Sequence, residues 1–251
     1  MKWQLAGVVV AGLMLAAITT AAPAFASGAT AGPAFVSGFG GPPIWAGAAD
    51  GRLASDQLRE RCLDGIERRL DRLDRAADRA GVAGNLTDAH QATLSDQLTT
   101  VSESLTDLQE NVNQDTGDAL RSDCQSVIEN HRVYVLVLPR TRLVIVGDTE
   151  LAAAQRLTEM ADKLGDAIGQ AEDAGEDVSA ERADLDAMRD YITSAQDGAS
   201  GIADAVLGLT PADWNENHTV LDPSRKAAMD AWLDLRSALR LAREVRQDLR
   251  S

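Results

Sequence analysis

Between Arg52 and Leu138 the chain contains no proline, and its apolar residues recur three and four positions apart, the spacing of one helix face. Leu63, Ile66, Leu70, Leu73, Ala77 and Ala80 advance by three, four, three, four and three, which predicts a seam of alternating a and d positions. Asp64 with Arg68 and Asp71 with Arg75 stand four apart on the outer face, spaced for helix ion pairs. Gly81 and Gly84 end this helix, and Thr87 caps a second one striped by Leu94, Leu98, Val101, Leu105, Leu108 and Val112. Neither stripe can be buried alone, so the spacing predicts an antiparallel hairpin over 53–113.

A third helix is expected from Asp118 to His131, with Leu120, Cys124, Val127 and His131 on one face. Val133 to Leu138 and Leu143 to Val146 are β-branched runs on either side of Pro139. They read as a short β-hairpin or an extended connector over 133–146; helical continuation is the alternative, because a lone two-stranded ribbon is marginal unless helices cover it. The third helix and this connector together span 118–147.

Asp148 or Thr149 is then placed to cap a helix carrying Leu151, Ala154, Leu157, Ala161, Leu164, Ile168 and Ala171, ending at Gly175. Ser179 is placed to cap the return helix, striped by Leu185, Met188, Ile192, Ala195, Ala199, Ile202, Val206 and Leu209, which makes a second hairpin over 149–209. Thr210 to Asn215 turns the chain. Asp222 caps a last helix over 222–250, with Pro223 at its first position and Ala228, Trp232, Leu235, Leu239, Ala242, Val245 and Leu249 as its stripe. The expected fold class is therefore all-α, an elongated bundle of antiparallel hairpins occupying 52–251.

The N-terminus carries a different message. Lys2, the apolar run Leu5 to Ile18 and the small-x-small triplet Ala24-Phe25-Ala26 are the three parts of a secretory signal over 1–26, which predicts an exported, bacterial, extracellular or cell-surface protein beginning at Ser27. The apolar core is shorter than the roughly 20 residues that span a bilayer, so no stable membrane insertion is expected after cleavage. Residues 27–51 read as a flexible Gly/Ala/Pro leader, a disordered spacer, with docking on the body through Phe35, Phe39, Ile44 and Trp45 as the alternative.

Export also gives Cys62 and Cys124 a meaning, because two cysteines in an oxidising compartment read first as a disulfide, with buried free thiols as the alternative. The closed loop would contribute about 4 kcal/mol on the chain-entropy account. There is no Cys-x-x-Cys, and His90, His131 and His218 do not lie at ligand spacing from the thiols, so neither a redox motif nor a metal site is expected.

Loss of Lys2 with the signal turns 24 basic residues into 23 against 39 acidic ones, a net charge of −16. That field argues against nucleic acid and anionic lipid as partners. Three of the basic residues are lysine and the rest arginine, and with the abundance of Ala and Asp this points to a GC-rich genome.

Catalytic patterns are sparse. Gly198-Ala199-Ser200-Gly201 has the look of a nucleophile turn, but it lies within a helical stripe with no strand before it. Glu172, Asp173, Glu176 and Asp177 form an acidic hairpin tip without the spacing of a calcium loop. Trp214 and Trp232 read as packing anchors, and His131 as a satisfied histidine on an apolar face. Asn85-Leu86-Thr87 and Asn217-His218-Thr219 fit the glycosylation pattern but read as caps and turns.

The stretch Arg132-Val-Tyr-Val-Leu-Val-Leu-Pro139, set between long alanine-rich helices, together with Leu209-Thr210-Pro211-Ala212-Asp213-Trp214, resembles a group of uncharacterised exported, coiled-coil-like helical proteins of high-GC Gram-positive bacteria. The resemblance runs from about residue 55 to the C-terminus and implies no catalytic residues and no cofactor. The expected function is structural or adhesive, a helical surface presented to a protein or cell-envelope partner, with oligomerisation open. The competing class is a helical module that holds a small molecule or cation between its helices; it would need a polar residue inside a stripe.

Overall fold

The computed structural model describes residues 55–250, so the signal and leader expectations lie outside the described residues. Helix α1 (Ser55–Gly81) and helix α2 (Asp88–Gln114) form the first hairpin. Arg59, near the start of α1, donates to the carbonyl oxygens of Val112 at 3.1 Å and Asp115 at 2.8 Å, which sets the start of α1 beside the end of α2 and satisfies carbonyls that the helix itself leaves free. Thr87 caps α2, its hydroxyl accepting from the His90 N–H.

The buried face of α1 is Cys62, Ile66, Leu73, Ala76 and Ala80, and Ala77 is exposed. The sequence seam placed Ala77 inside. At about 100° per residue Leu63, Leu70 and Ala77 lie on one flank of the arc centred on Ile66, Leu73 and Ala80, where the two leucines stay half-buried and the short Ala77 side chain does not, while Ala76 lies on the opposite, buried flank.

Helix α3 (Gly117–Glu129) begins at a glycine with φ 60° and packs on both members of the hairpin. Cys124 on α3 and Cys62 on α1 are joined by a disulfide with their Cα atoms 5.5 Å apart. Beyond α3 the backbone turns through Arg132, whose φ of 44° is the only positive value on a non-glycine residue among the described residues. A left-handed non-glycine residue costs about 1 kcal/mol, so packing on both sides must hold this joint.

No strand occurs among the described residues, and the expected extended connector over 133–146 is helix instead. Val133–Val137 forms a π-helical turn, with Val137 N–H bonded to the Arg132 carbonyl and Leu138 N–H to that of Val133. Helix α4 (Leu138–Asp173) follows without a break and runs through Asp148 and Thr149, which therefore cap nothing. Pro139 sits in its first turn, where a missing N–H costs least and where the wider turn before it relieves the ring's clash with the preceding carbonyls.

β-Propensity lost because of burial. In α4, Arg140, Thr141, Leu143, Val144, Val146, Gly147, Asp148 and Glu150 are all buried, so this half of the helix is enclosed on nearly every side. A ribbon at the same place would present two unpaired edges to an apolar interior.

Helix α5 (Ser179–Ser200) returns along α4 after a turn in which Gly175 takes φ 89°. Its cap is not Ser179: the Asp177 carboxylate accepts the Ser179 N–H instead. At Gly201 the stripe bends into the short helix α6 (Ile202–Leu207), close to Gly147 of α4. A Cβ on Gly147 would lie 3.2 Å from Ile202 Cβ, so a larger residue there would push the two elements apart. The expected turn at 210–215 is a short helix α7 (Pro211–Glu216), closed by a capping box between Thr210 and Asp213. Helix α8 (Asp222–Asp248) begins one residue earlier than expected, with Leu221 at the cap, and lies against α5 and α4.

Two apolar cores result. One is built from α1, α2, α3 and the π-turn around Ile66, Leu105, Val112, Leu120 and Val133. The other is built from α4, α5, α6 and α8 around Ala154, Ile168, Met188, Ile192, Ile202 and Val245, and it reaches back to Ala80 and Leu94 in the first hairpin.

Two outcomes check this architecture. Ile192→Asp places an unpaired carboxylate in the second core and lowers the thermal midpoint by the equivalent of several kcal/mol, read by circular dichroism; an unchanged midpoint would show that this face is exposed. Alkylation of the folded protein without reductant, followed by intact-mass measurement, finds no modified thiol, and reduction lowers stability by about 2–4 kcal/mol.

Candidate functional site

The two segments singled out by sequence meet in space. Arg132 Nε donates to Asn215 Oδ1 at 2.5 Å, and Asn215 Nδ2 donates to the Glu129 carbonyl at 3.2 Å, tying the α3–α4 joint to α7. Arg140, one turn into α4, donates from Nη1 to the Leu209 carbonyl at 2.5 Å, while Gln97 of α2 donates to the Leu207 carbonyl at 2.9 Å. Both bonds satisfy carbonyls at the end of α6. Burial pushes the Arg140 guanidinium below its ordinary pKa, and its buried Nε has no partner among the described residues.

Two turns further along α4, Asp148 is buried beneath the α1–α2 turn. Its carboxylate accepts the Thr87 N–H at 2.9 Å and lies 2.9 Å from His90 Nδ1. A carboxylate only accepts, so Nδ1 carries the proton and donates. This cluster holds the N-terminus of α2 onto α4, and the sequence reading missed it because Asp148 looked like a cap and lies 61 and 58 positions from Thr87 and His90 in the chain.

Glu150 is the second buried acid of this helix, and its Oε2 has no hydrogen-bond partner among the described residues. Burial raises its pKa from the ordinary 4.5 to about 8. It is a protonated acid through most of the neutral range, and no sequence signal beyond a carboxylate inside an apolar run could have marked it.

His131 is buried as expected. Its Nδ1 lies 3.1 Å from the Ser126 carbonyl and its Nε2 3.1 Å from the Ser104 hydroxyl. A carbonyl can only accept, so Nδ1 holds the proton and Nε2 accepts from Ser104. Burial lowers its pKa, which keeps the ring neutral.

The remaining sequence candidates are dispersed. Ser200 donates to the Asp197 carbonyl at 3.1 Å within its own helix. At the acidic tip Glu172 pairs with Arg182 and Asp177 serves the α5 cap. Trp214 stacks on His218 with ring centroids 5.6 Å apart, and Arg236 lies over the Trp232 ring at 5.4 Å, on a different helix. Asn217 accepts from Thr219, making a turn. No group of three or more His, Cys, Asp or Glu residues among the described residues is placed to hold a metal ion. No described helix is long and apolar enough to cross a membrane.

Two variants of α4 separate these roles. Glu150 has its folded-state pKa raised, so the folded state binds more protons than the unfolded one between pH 4.5 and about 8, and stability falls as pH rises through that window. Glu150→Gln therefore raises the melting midpoint at pH 8 by the equivalent of a few kcal/mol, raises it little at pH 5, and flattens the profile between. Asp148→Ala lowers stability by about 1–3 kcal/mol, since it strands the Thr87 N–H and the imidazole, and Asp148→Asn, which keeps one acceptor, costs less. The first is read from thermal melts across pH and the second from denaturant titrations.

Comparison of the chain with protein-family models, with curated proteins and with solved structures gives no match.

Proposed function

We propose that this is an exported helical protein whose work is done by its surface, a structural or adhesive partner for another protein or for the cell envelope, and not by a catalytic centre. What supports the reading is the use made of the internal polar groups. Asp148, His90, Arg140, Gln97, Asn215 and His131 each make a hydrogen bond that joins one helix or turn to another. Meanwhile Tyr134, Tyr191, Met229 and Leu233 are large apolar residues on outward faces, among a strongly acidic exterior. The signal-like N-terminus and the resemblance to exported coiled-coil-like proteins favour the same reading.

A second reading, a module that holds a small molecule or cation between helices, draws on one observation: Glu150, a buried acid with an unpaired oxygen inside an apolar stripe. A ligand with a hydrogen-bond donor would raise the melting midpoint of the wild type and not of Glu150→Leu, which has no acceptor.

Under the first reading the mature protein, used as bait on the cell surface of its host, retains a defined partner identified by mass spectrometry. Single alanine substitutions at His131, Ser200, Asp173, Asp177, Trp214 and Trp232 that preserve the melt leave this retention unchanged. Retention weakens as salt is raised, because exposed charges are screened beyond about 8 Å at physiological ionic strength. Loss of retention in one of these variants with an intact melt would reveal a discrete site and overturn the surface reading.

A further inference from the structure

Between α1 and α2 the hairpin seam opens to solvent as a groove of about 340 Å³. Its floor is apolar: Leu73 and Leu98 are buried beneath it, and Ala77, the seam residue that turned outward, lines its wall. Its rim is acidic. Asp74 comes from α1, and Glu103 and Asp107 stand four apart on α2, a like-charge pair that weakens a helix by a few tenths of a kcal/mol. No ion pair joins any of these three carboxylates to another described residue, although Asp64 and Asp71 nearby are each paired with an arginine. The whole of α2 contributes five acidic residues and neither a lysine nor an arginine.

An apolar floor between unpaired carboxylates is complementary to a ligand with an aliphatic stripe flanked by cations. From Leu98 to Asp107 the groove follows α2 for about 14 Å, the length of two to three turns of a docked helix. A second copy of this chain is a poor occupant, because two mature bodies of formal charge −16 repel one another before they meet. We propose that the α1–α2 groove docks a basic amphipathic helix of a partner protein, with small aliphatic side chains over Leu73, Ala77 and Leu98 and Lys or Arg side chains on Asp74, Glu103 and Asp107. This rests on the reading of the protein as one that acts through its surface, and it names the face and the chemistry of the partner.

The probe is a fluorescent amphipathic helical peptide of leucine, alanine and lysine, titrated with the full mature protein and followed by anisotropy at low and physiological salt. Binding is expected, and it weakens with salt. The triple variant Asp74→Asn, Glu103→Gln, Asp107→Asn weakens it about tenfold or more, and Ala77→Arg, which sets a cation in the groove, weakens it similarly. A charge-matched control, Asp173→Asn, Glu176→Gln, Asp190→Asn, leaves it within about twofold. Wild-type melting midpoints are required of each variant, and where Ala77→Arg does not fold the two triple variants decide. Equal loss in both triples would show attraction to net charge alone and overturn the groove. No binding of the lysine peptide by wild type would also overturn it; the surface reading would survive that result if the bait still retained a defined partner and would fall only if it retained none.

Discussion

Helix α4 is enclosed around most of its first half, and that burial is the constraint on which the rest of the molecule depends. A helix that is apolar on every side needs neighbours on every side. The π-turn and the end of the first hairpin supply one set, and α5, α6 and α8 supply the other. The same helix therefore belongs to the second core along its length and touches the first at its start, where Leu138 packs with Val133 and Val137. Two cores become one body because one helix cannot be buried by either alone.

Burial of this kind leaves polar groups to be settled, and α4 carries four of them: Arg140, Thr141, Asp148 and Glu150. Thr141 bonds back to the Val137 carbonyl at 2.9 Å, so it is satisfied locally. Arg140 and Asp148 reach across to backbone groups of other elements, a carbonyl at the end of α6 and an N–H at the start of α2. Each thereby fixes the axial position of a neighbour that apolar contact, being non-directional, would leave free to slide. Glu150 has no such partner for Oε2, and its preference for the protonated state follows directly.

The joint before α4 combines two features of unfavourable local geometry, a left-handed Arg132 and a π-turn. Both serve to enter a buried helix from α3 with a proline at its start. Arg132 is anchored to Asn215 and the adjacent His131 to Ser104 and Ser126, so the strained backbone is held from α7, α2 and α3. Tyr134 on the outer side of this turn lies under the Arg69 guanidinium, 5.1 Å from its ring centre, which closes the turn over α1.

What the sequence determined by itself is the helical text and most of its inward faces. Leu94, Leu98, Leu105, Leu108 and Val112 in α2, and Leu185, Met188, Ile192, Ala195 and Ala199 in α5, are buried as their spacing predicted, because a period of three and four is a local property that only a helix can bury on one side. The pairing of Cys62 with Cys124 was read from a pair of cysteines behind a secretory-type N-terminus, with Cys124 on the apolar face of its helix. Tertiary structure decided what spacing leaves undetermined. The two short β-branched runs, Val133 to Leu138 and Leu143 to Val146, carry no period that distinguishes a buried strand from a buried helix, and the surrounding helices settled it. The cluster of Asp148, Thr87 and His90, the Arg140 bond to Leu209 and the isolation of Glu150 join or separate residues far apart in the chain, and their partners exist only once α4 has been surrounded.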